Sequence, residues 1–183
     1  RKYCCFVFFL GLSFNASAKD VDGGKHFVLQ LVGTGPMYQG WEDLDGDGEM
    51  DANENAMCFD VDLVNMKNQQ VIGTGADCLA DVTPVNGSVN LVGTTYYNMP
   101  NGTLVVRGNT SVRPVREDVP TITPEGQEIT HITGAAGNGN AVVYGTGRFA
   151  GATGTTRLSG MVDMSSLGGA GWRPNFFQLH IYC

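Results

Sequence analysis

Short runs rich in Val, Thr, Phe and Tyr alternate along this chain with turns rich in Gly, Asn and Pro, and this pattern most constrains the fold. The chain has 26 glycines in 183 residues, and helical periodicity is nearly absent. Closely spaced β-prone runs between turn signals are typical of a β-sandwich or β-barrel. We count about eight such runs and no boundary between domains, which predicts an all-β, eight-stranded antiparallel β-barrel.

The clearest predicted strand covers residues 57–65, where Phe59, Val61 and Leu63 alternate with polar positions. The other predicted strands are residues 25–34, 69–82, 88–97, 103–112, 128–133, 152–164 and 175–183. Proline and glycine predict irregular structure at residues 112–128, 134–151 and 165–174. The breakers Gly35, Pro36 and Gly40 predict a long connection after the first strand.

That connection contains the pattern of a calcium-binding loop at residues 43–54, which we call the acidic loop (DLDGDGEMDANE). Carboxylates stand at positions 1, 3 and 5, glycine at 6, an oxygen-bearing residue at 9 and glutamate at 12. The predicted ligands are Asp43, Asp45, Asp47, the backbone carbonyl of Glu49, Asp51 directly or through water, and both oxygens of Glu54. Oxygen ligands in this number favour calcium over zinc, copper or magnesium. The alternative is an acidic, disordered loop.

The sequence on either side of the acidic loop argues against a helix–loop–helix calcium sensor. Pro36 and Gly40 leave no room for an entering helix, and the residues after Asn55 alternate like a strand. A calcium ion bound between two strands is suited to stiffening the structure rather than to opening a pair of helices. We therefore expect a structural role for calcium.

The first 18 residues have the order of a secretory signal peptide. Arg1 and Lys2 are basic, an apolar stretch continues to Phe14, and residues 16–18 (ASA) form a small-residue cleavage signal. The stretch is shorter than the ~20 residues that span a bilayer, and the rest of the sequence contains no candidate span. We expect a secreted protein in which residues 19–183 form one domain. The alternative is a buried N-terminal strand.

The charge of the chain is acidic and locally concentrated. Removing residues 1–18 leaves nine Lys+Arg against eighteen Asp+Glu. Eleven of these carboxylates lie between Asp20 and Asp62, with Lys25 as the only cation among them. The acidic balance and the lack of a basic stripe argue against nucleic acid or an anionic membrane as a partner, and the local concentration favours a metal role.

Three cysteines remain after the predicted signal peptide: Cys58, Cys78 and Cys183. Cys58 and Cys78 flank a predicted hairpin whose turn centres near Asn68, so a cross-strand disulfide between them is geometrically plausible. A register error of one residue would place them on opposite faces of the sheet. The partner of Cys183 stays open.

Three N-glycosylation sequons begin at Asn86, Asn101 and Asn109. The first two lie in Asn-Gly turns, where a glycan would be exposed. The alternative is that Asn-Gly-Ser/Thr is simply common turn chemistry.

The last third of the chain resembles a known family. Residues 132–137 (ITGAAG) resemble a glycine-rich turn of the allene oxide cyclases. Residues 144–154 (YGTGRFAGATG) resemble the glycine-rich turn that these cyclases share with the dirigent proteins. A strand at residues 155–163 follows, and the aromatic segment 176–182 (FFQLHIY) resembles the family's closing strand.

This resemblance implies an eight-stranded antiparallel barrel of calycin type, often oligomeric, with an apolar cavity and no organic cofactor. It also implies that such a cavity guides the cyclisation or coupling of a small apolar molecule. No motif in the first two thirds allows a catalytic residue of the family to be assigned. The candidate polar residues for the lining or mouth of a barrel are Arg107, Arg113, Arg148, Arg157, Tyr144, His131 and His180. The alternative, which we favour for each residue taken singly, is an ordinary surface position on an alternating strand.

Two functions therefore remain open. We favour a secreted, calcium-binding, non-catalytic extracellular module with a structural, assembly or binding role. The alternative is a cofactor-independent cyclase, isomerase or dirigent-type protein. The sequence contains no Gly-x-Ser-x-Gly motif, phosphate-binding loop or His/Cys zinc cluster, which disfavours a hydrolase or a nucleotide-using enzyme.

Overall fold

The computed structural model describes residues 26–52, 54–116, 119, 121–124, 126, 128–135, 140–163 and 177–182, with side chains described only between residues 28 and 163. The predicted signal peptide, the predicted irregular segment 165–174 and Cys183 lie outside the described residues. Within the described part of the chain, no helix has the length and apolar character needed to cross a membrane.

The described residues form twelve strands and one short 3-10 helix. The strands are β1 (His26–Gly33), β2 (Tyr38–Trp41), β3 (Asn55–Val64), β4 (Val71–Val85), β5 (Ser88–Met99), β6 (Gly102–Pro114), β7 (Thr121–Ile122), β8 (Glu128–Ile129), β9 (His131–Ala135), β10 (Ala141–Gly145), β11 (Thr155–Val162) and β12 (Phe177–Tyr182). The 3-10 helix covers Gly147–Phe149. The predicted all-β class is confirmed.

The strands form one large antiparallel sheet, and β7 and β8 form a separate two-stranded sheet. The order in the large sheet is β1-β12-β11-β10-β6-β5-β4-β3-β2, and β1 also pairs with β3. Strand β6 is long enough to take two partners on one side: β10 pairs near Val106 and β9 pairs near Val112.

Three strands were missed by the sequence pattern: β2, β7 and β10. Strand β2 contains Gly40 and lies in the predicted connection, but it pairs with β3 from Tyr38 opposite Cys58 to Trp41 opposite Asn55. Glycine fits here because a Cβ on Gly40 would lie 2.7 Å from the Cys58 sulfur. Strand β7 lies in the predicted irregular segment 112–128 and pairs with β8, and β10 lies in the predicted irregular segment 134–151 and pairs with β6. Each is specified by the strand it pairs with rather than by a pattern of its own.

The predicted hairpin of β3 and β4 and its disulfide are confirmed. Cys58 lies directly opposite Cys78 in the strand register, and the two residues form a disulfide bond with a Cα–Cα distance of 4.0 Å. The inward positions Phe59, Val61 and Leu63 of β3 are at most 1 % exposed, as the alternating pattern predicts. The disulfide therefore lies on the face of the sheet opposite the main core.

Two apolar clusters fill the two ends of the sheet's inner face. The larger cluster contains Leu29, Leu31, Phe59, Val61, Leu63, Tyr97, Leu104, Val106 and Phe149. The smaller cluster contains Leu91, Val112 and Val162. Met37 and Leu79 pack against both clusters, so the two are neighbours inside the fold.

Candidate functional site

The acidic loop brings three of its predicted ligands together. Carboxylate oxygens of Asp43, Asp45 and Asp47 all lie within 4.8 Å of one another. Each carboxylate also accepts a hydrogen bond from a backbone N–H further along the loop: Asp43 from Gly46, Asp45 from Asp47, and Asp47 from Glu49. These bonds hold the three side chains on the same side of a tight turn.

Glycine and glutamate fix the shape of the acidic loop. Gly46 has φ +82° and Gly48 has φ +80°, a left-handed backbone that glycine adopts without strain. The Glu54 side chain accepts hydrogen bonds from the N–H groups of Leu44 and Asp51, each at 2.8 Å, and so joins the two ends of the loop. Glu54 is only 2 % exposed, whereas Glu49 and Asp51 are exposed.

The acidic loop is attached to the sheet by two tyrosines. The Tyr96 hydroxyl on β5 accepts a 2.6 Å hydrogen bond from the backbone N–H of Asp43. The Tyr144 hydroxyl on β10 donates to Oδ2 of Asp43 at 3.4 Å. Burial, and then the negative charge of Asp43, raise the pKa of Tyr144 to about 12, so the phenol stays protonated and remains a donor.

An ion pair forms a further link between this region and the sheet. Glu42 directly precedes the acidic loop, and its Oε2 lies 3.2 Å from Nη2 of Arg107 on β6. Its backbone N–H donates to the Glu54 carbonyl at 2.7 Å, which closes the base of the loop. Glu42 is fully buried, and among the described residues Arg107 is the cation that pairs with it.

The three converging aspartates of the acidic loop could hold a metal ion. Three carboxylates converge within 4.8 Å, and among the described residues no salt bridge reaches them. Like charges at this spacing repel unless a cation lies between them, and oxygen-only ligands match calcium. Asp43, Asp45 and Asp47 would hold the ion, with Glu54 buried beside them. Asn53 lies outside the described residues.

A cavity of about 540 Å³ lies between the two apolar clusters, and we call it the interior cavity. Phe59 and Val106 of the larger cluster and Leu91, Val112 and Val162 of the smaller cluster all line it. Its walls come from strands β3, β4, β5, β6, β9 and β11. Its lining is mainly apolar, with a few polar groups, which is the usual composition of a small-molecule site.

Asp77 is the acidic residue of this cavity. It lies on β4 between Phe59 of β3 and Thr95 of β5, and it is 6 % exposed. The Thr95 hydroxyl donates to Oδ1 of Asp77 at 2.7 Å. Burial raises the pKa of Asp77 to about 7, the Thr95 hydrogen bond opposes this shift, and the charge of Glu42 adds to it.

Asn140 is a second polar residue of the cavity wall and is 1 % exposed. Its side-chain oxygen and nitrogen have no hydrogen-bond partner among the described residues. The amide packs over Gly108 of β6, where a Cβ would overlap it. The backbone carbonyl of Asn140 accepts from Thr156 of β11, so the residue joins two strands where β6 changes partners.

The polar residues predicted to line the barrel have different positions. Arg107 borders the interior cavity and pairs with Glu42, and Tyr144 contacts the acidic loop. Arg113 and Arg157 are exposed, and His131 is half-buried beside Thr130, with a pKa lowered by burial. Arg148 packs with its guanidinium 5.5 Å from the Phe149 ring centre. The side chain of His180 lies outside the described residues.

The sequence did not single out Asp77, Asn140 or Glu42. Asp77 occupies an inward position of β4, two residues from both Gly75 and Leu79. The sequence signal that could have singled out Asp77 was therefore an acidic residue at an otherwise apolar, inward position of an alternating strand. Asn140 and Glu42 lie outside regular strands, where the sequence carries no such signal.

The three predicted sequon asparagines, Asn86, Asn101 and Asn109, are all exposed. Asn86 lies in the turn between β4 and β5 with φ +48°, and Asn109 lies within β6 rather than in a turn. Exposure is compatible with glycosylation, which stays a prediction.

The chain matches no family model, no curated protein and no solved structure. The resemblance to allene oxide cyclases and dirigent proteins therefore stays a prediction.

Proposed function

We propose that this protein is a secreted, calcium-stabilised, non-catalytic β-barrel that binds a small apolar molecule in its interior. The observation that carries the proposal is the cavity of about 540 Å³ between the two apolar clusters. Its volume is within the range of sites that enclose small organic molecules. Its mainly apolar lining suits the hydrocarbon part of such a molecule.

The pairing of the strands supports a closed barrel around this cavity. Strand β1 pairs with β12 on one side and with β3 on the other, so the order of pairing returns to its start. Strands β1, β3, β4, β5, β6, β11 and β12 supply seven positions, and β9 with β10 shares the eighth. An eight-stranded barrel encloses an interior that holds side chains or one small ligand.

Calcium in the acidic loop would stiffen one part of this barrel. The loop is held by Tyr96 of β5 and Tyr144 of β10, and Glu42 at its base by Arg107 of β6. An ion held by Asp43, Asp45 and Asp47 would therefore brace these three strands relative to one another. The disulfide between Cys58 and Cys78 fits the oxidising environment of a secreted protein. A homo-oligomer is implied by the family resemblance alone and stays a prediction.

Binding of an apolar fluorescent dye tests the proposal. We expect N-phenyl-1-naphthylamine, a neutral apolar dye, to bind with a strong rise in fluorescence. Leu91→Trp places a large ring in the cavity wall and should weaken binding about tenfold or more. Val143→Trp on the exposed face of β10 is the matched control and should leave binding unchanged. Equal affinities for both folded variants, or no binding to the wild type, would reject the interior cavity as a ligand site.

A cofactor-independent isomerase or cyclase is a second candidate because the cavity contains Asp77. A carboxyl whose pKa is raised to about 7 can donate and accept a proton near neutral pH. Chromatography of small molecules extracted from the protein before and after prolonged incubation separates the two functions. Unchanged ligand supports a binding module, whereas conversion that Asp77→Asn abolishes supports the enzyme.

A further inference from the structure

The Asp77 carboxyl group is placed to receive the polar end of a ligand. It lines the interior cavity next to the apolar side chains of Phe59 and Leu79. The Thr95 hydroxyl donates a hydrogen bond to Oδ1 of Asp77, and Oδ2 has no hydrogen-bond partner among the described residues. A ligand group that reaches Oδ2 would therefore complete the hydrogen bonding of a carboxyl that is 6 % exposed.

The described part of the chain provides no cation for Asp77. Arg107 is the one basic residue on the described cavity wall, and its guanidinium pairs with Glu42. Alternation along β6 places Val106 and Gly108 toward the cavity and the Cβ of Arg107 toward the other face. The charged and titratable groups around Asp77 are Glu42, Tyr97 and Arg107, and Glu42 disfavours its ionisation. Ionised Asp77 therefore has no counter-ion of its own among the residues that the structure describes.

We propose that the interior cavity selects an apolar amine, with the ligand's ammonium group on the Asp77 carboxylate and its hydrocarbon part against Leu91 and Val112. This inference rests on the proposed function, because it requires that the cavity binds a small molecule. A buried carboxylate without a counter-ion is costly, and a ligand cation relieves that cost. A carboxylate ligand would be repelled, and an alcohol would hydrogen bond without neutralising the charge.

The ionisation of Asp77 gives the amine preference a characteristic pH dependence. The pKa of free Asp77 is about 7, and an alkylammonium stays charged throughout the range from pH 6 to pH 8. Amine binding favours ionised Asp77, so affinity should rise from pH 6 to pH 8. A neutral hydrogen-bond acceptor favours the protonated carboxyl, so its affinity should fall over the same range.

The experiment compares three ligands with the same chain length and different head groups. n-Octylamine, n-octanol and octanoate displace N-phenyl-1-naphthylamine from the wild type at pH 6, 7 and 8. At pH 8 we expect octylamine to bind at least about tenfold more tightly than octanol, because only the ammonium group compensates the charge of the buried carboxylate, with octanoate weakest. Asp77→Asn should remove the preference for octylamine over octanol. Asp62→Asn, outside the cavity lining, is the charge-matched control and should behave like the wild type.

The outcomes separate this inference from the proposed function. If octanol displaces the dye as well as octylamine does, the amine inference is overturned while the cavity remains a ligand site. If the dye itself does not bind, the proposed function fails as well. If Asp77→Asn folds poorly, the pH dependence of octylamine affinity for the wild type tests the inference instead. An octylamine affinity that rises with pH supports the inference, and one that is flat or falls overturns it.

Discussion

The guanidinium Nη2 of Arg107 lies 3.2 Å from Oε2 of Glu42, and this ion pair joins strand β6 to the residue that precedes the acidic loop. The Glu42 side chain is 1 % exposed and that of Arg107 is 31 % exposed. Oε1 of Glu42 has no hydrogen-bond partner among the described residues. The carboxylate therefore depends on Arg107 for compensation of its charge.

Removal of that cation should destabilise the protein. Arg107→Met keeps an unbranched apolar side chain but leaves the buried Glu42 carboxylate uncompensated, and we expect a loss of ~3 kcal/mol in the free energy of unfolding, measured with urea. Arg157→Met on the exposed face of β11 should change it by less than ~0.5 kcal/mol. Adding Glu42→Gln to Arg107→Met should recover part of the loss. Equal stability of the two arginine variants would show that the ion pair contributes nothing.

Calcium should raise the unfolding temperature of the wild type, and chelation should lower it. At a calcium concentration 100 times its dissociation constant, the expected stabilisation is ~2.7 kcal/mol. Asp45→Asn with Asp47→Asn keeps the backbone hydrogen bonds within reach of an amide oxygen but removes two charges, and should abolish the calcium effect. Asp81→Asn, exposed and outside the loop, should retain it. A calcium response that survives the double substitution would place the ion elsewhere.

Asp77 should make stability depend on pH in a direction opposite to a salt-bridged carboxylate. Its pKa is about 7 in the folded protein, against an ordinary aspartate value of 3.8, so the folded state binds more protons between these pH values. The stabilisation is fully present below pH 4 and is lost as pH rises through 7. From pH 4 to pH 8, the free energy of unfolding of Asp77→Asn should therefore increase relative to that of the wild type, by up to ~4 kcal/mol. Urea unfolding of both proteins across this range measures the difference, and parallel pH curves would contradict it.

Gly108 should not tolerate a side chain while Asn140 lies against it. A Cβ at Gly108 would overlap the Asn140 amide, so Gly108→Ala should cost ~1–3 kcal/mol of stability. Gly134→Ala is the matched control, because its nearest contact would be the Leu158 carbonyl oxygen at an ordinary 3.7 Å. Asn140→Ala combined with Gly108→Ala should cost less than the two single changes together, measured by thermal unfolding. Strict additivity would show that the two residues are not coupled.

The sequence indicated part of the acidic loop's geometry but not the cavity. Gly48, at position 6 of the calcium pattern, has a left-handed backbone, and Asp43, Asp45 and Asp47 converge because all three lie within five consecutive residues. Calcium binding itself stays a prediction. The interior cavity joins residues from β3 to β11, which are brought together only by strand pairing. Asp77 could not be recognised before β4 was placed between β3 and β5.

The sequence by itself determined the all-β class and the hairpin of β3 and β4, because alternation and turn position are local properties of the chain. Tertiary structure fixed the register that places Cys58 opposite Cys78. It decided that β2 and β10 are strands, since each depends on the strand with which it pairs rather than on a pattern of its own. It also decided that the two apolar clusters leave a cavity between them and that Asp77 faces it. Packing volume and the environment of a charge depend on residues that meet only in the folded protein.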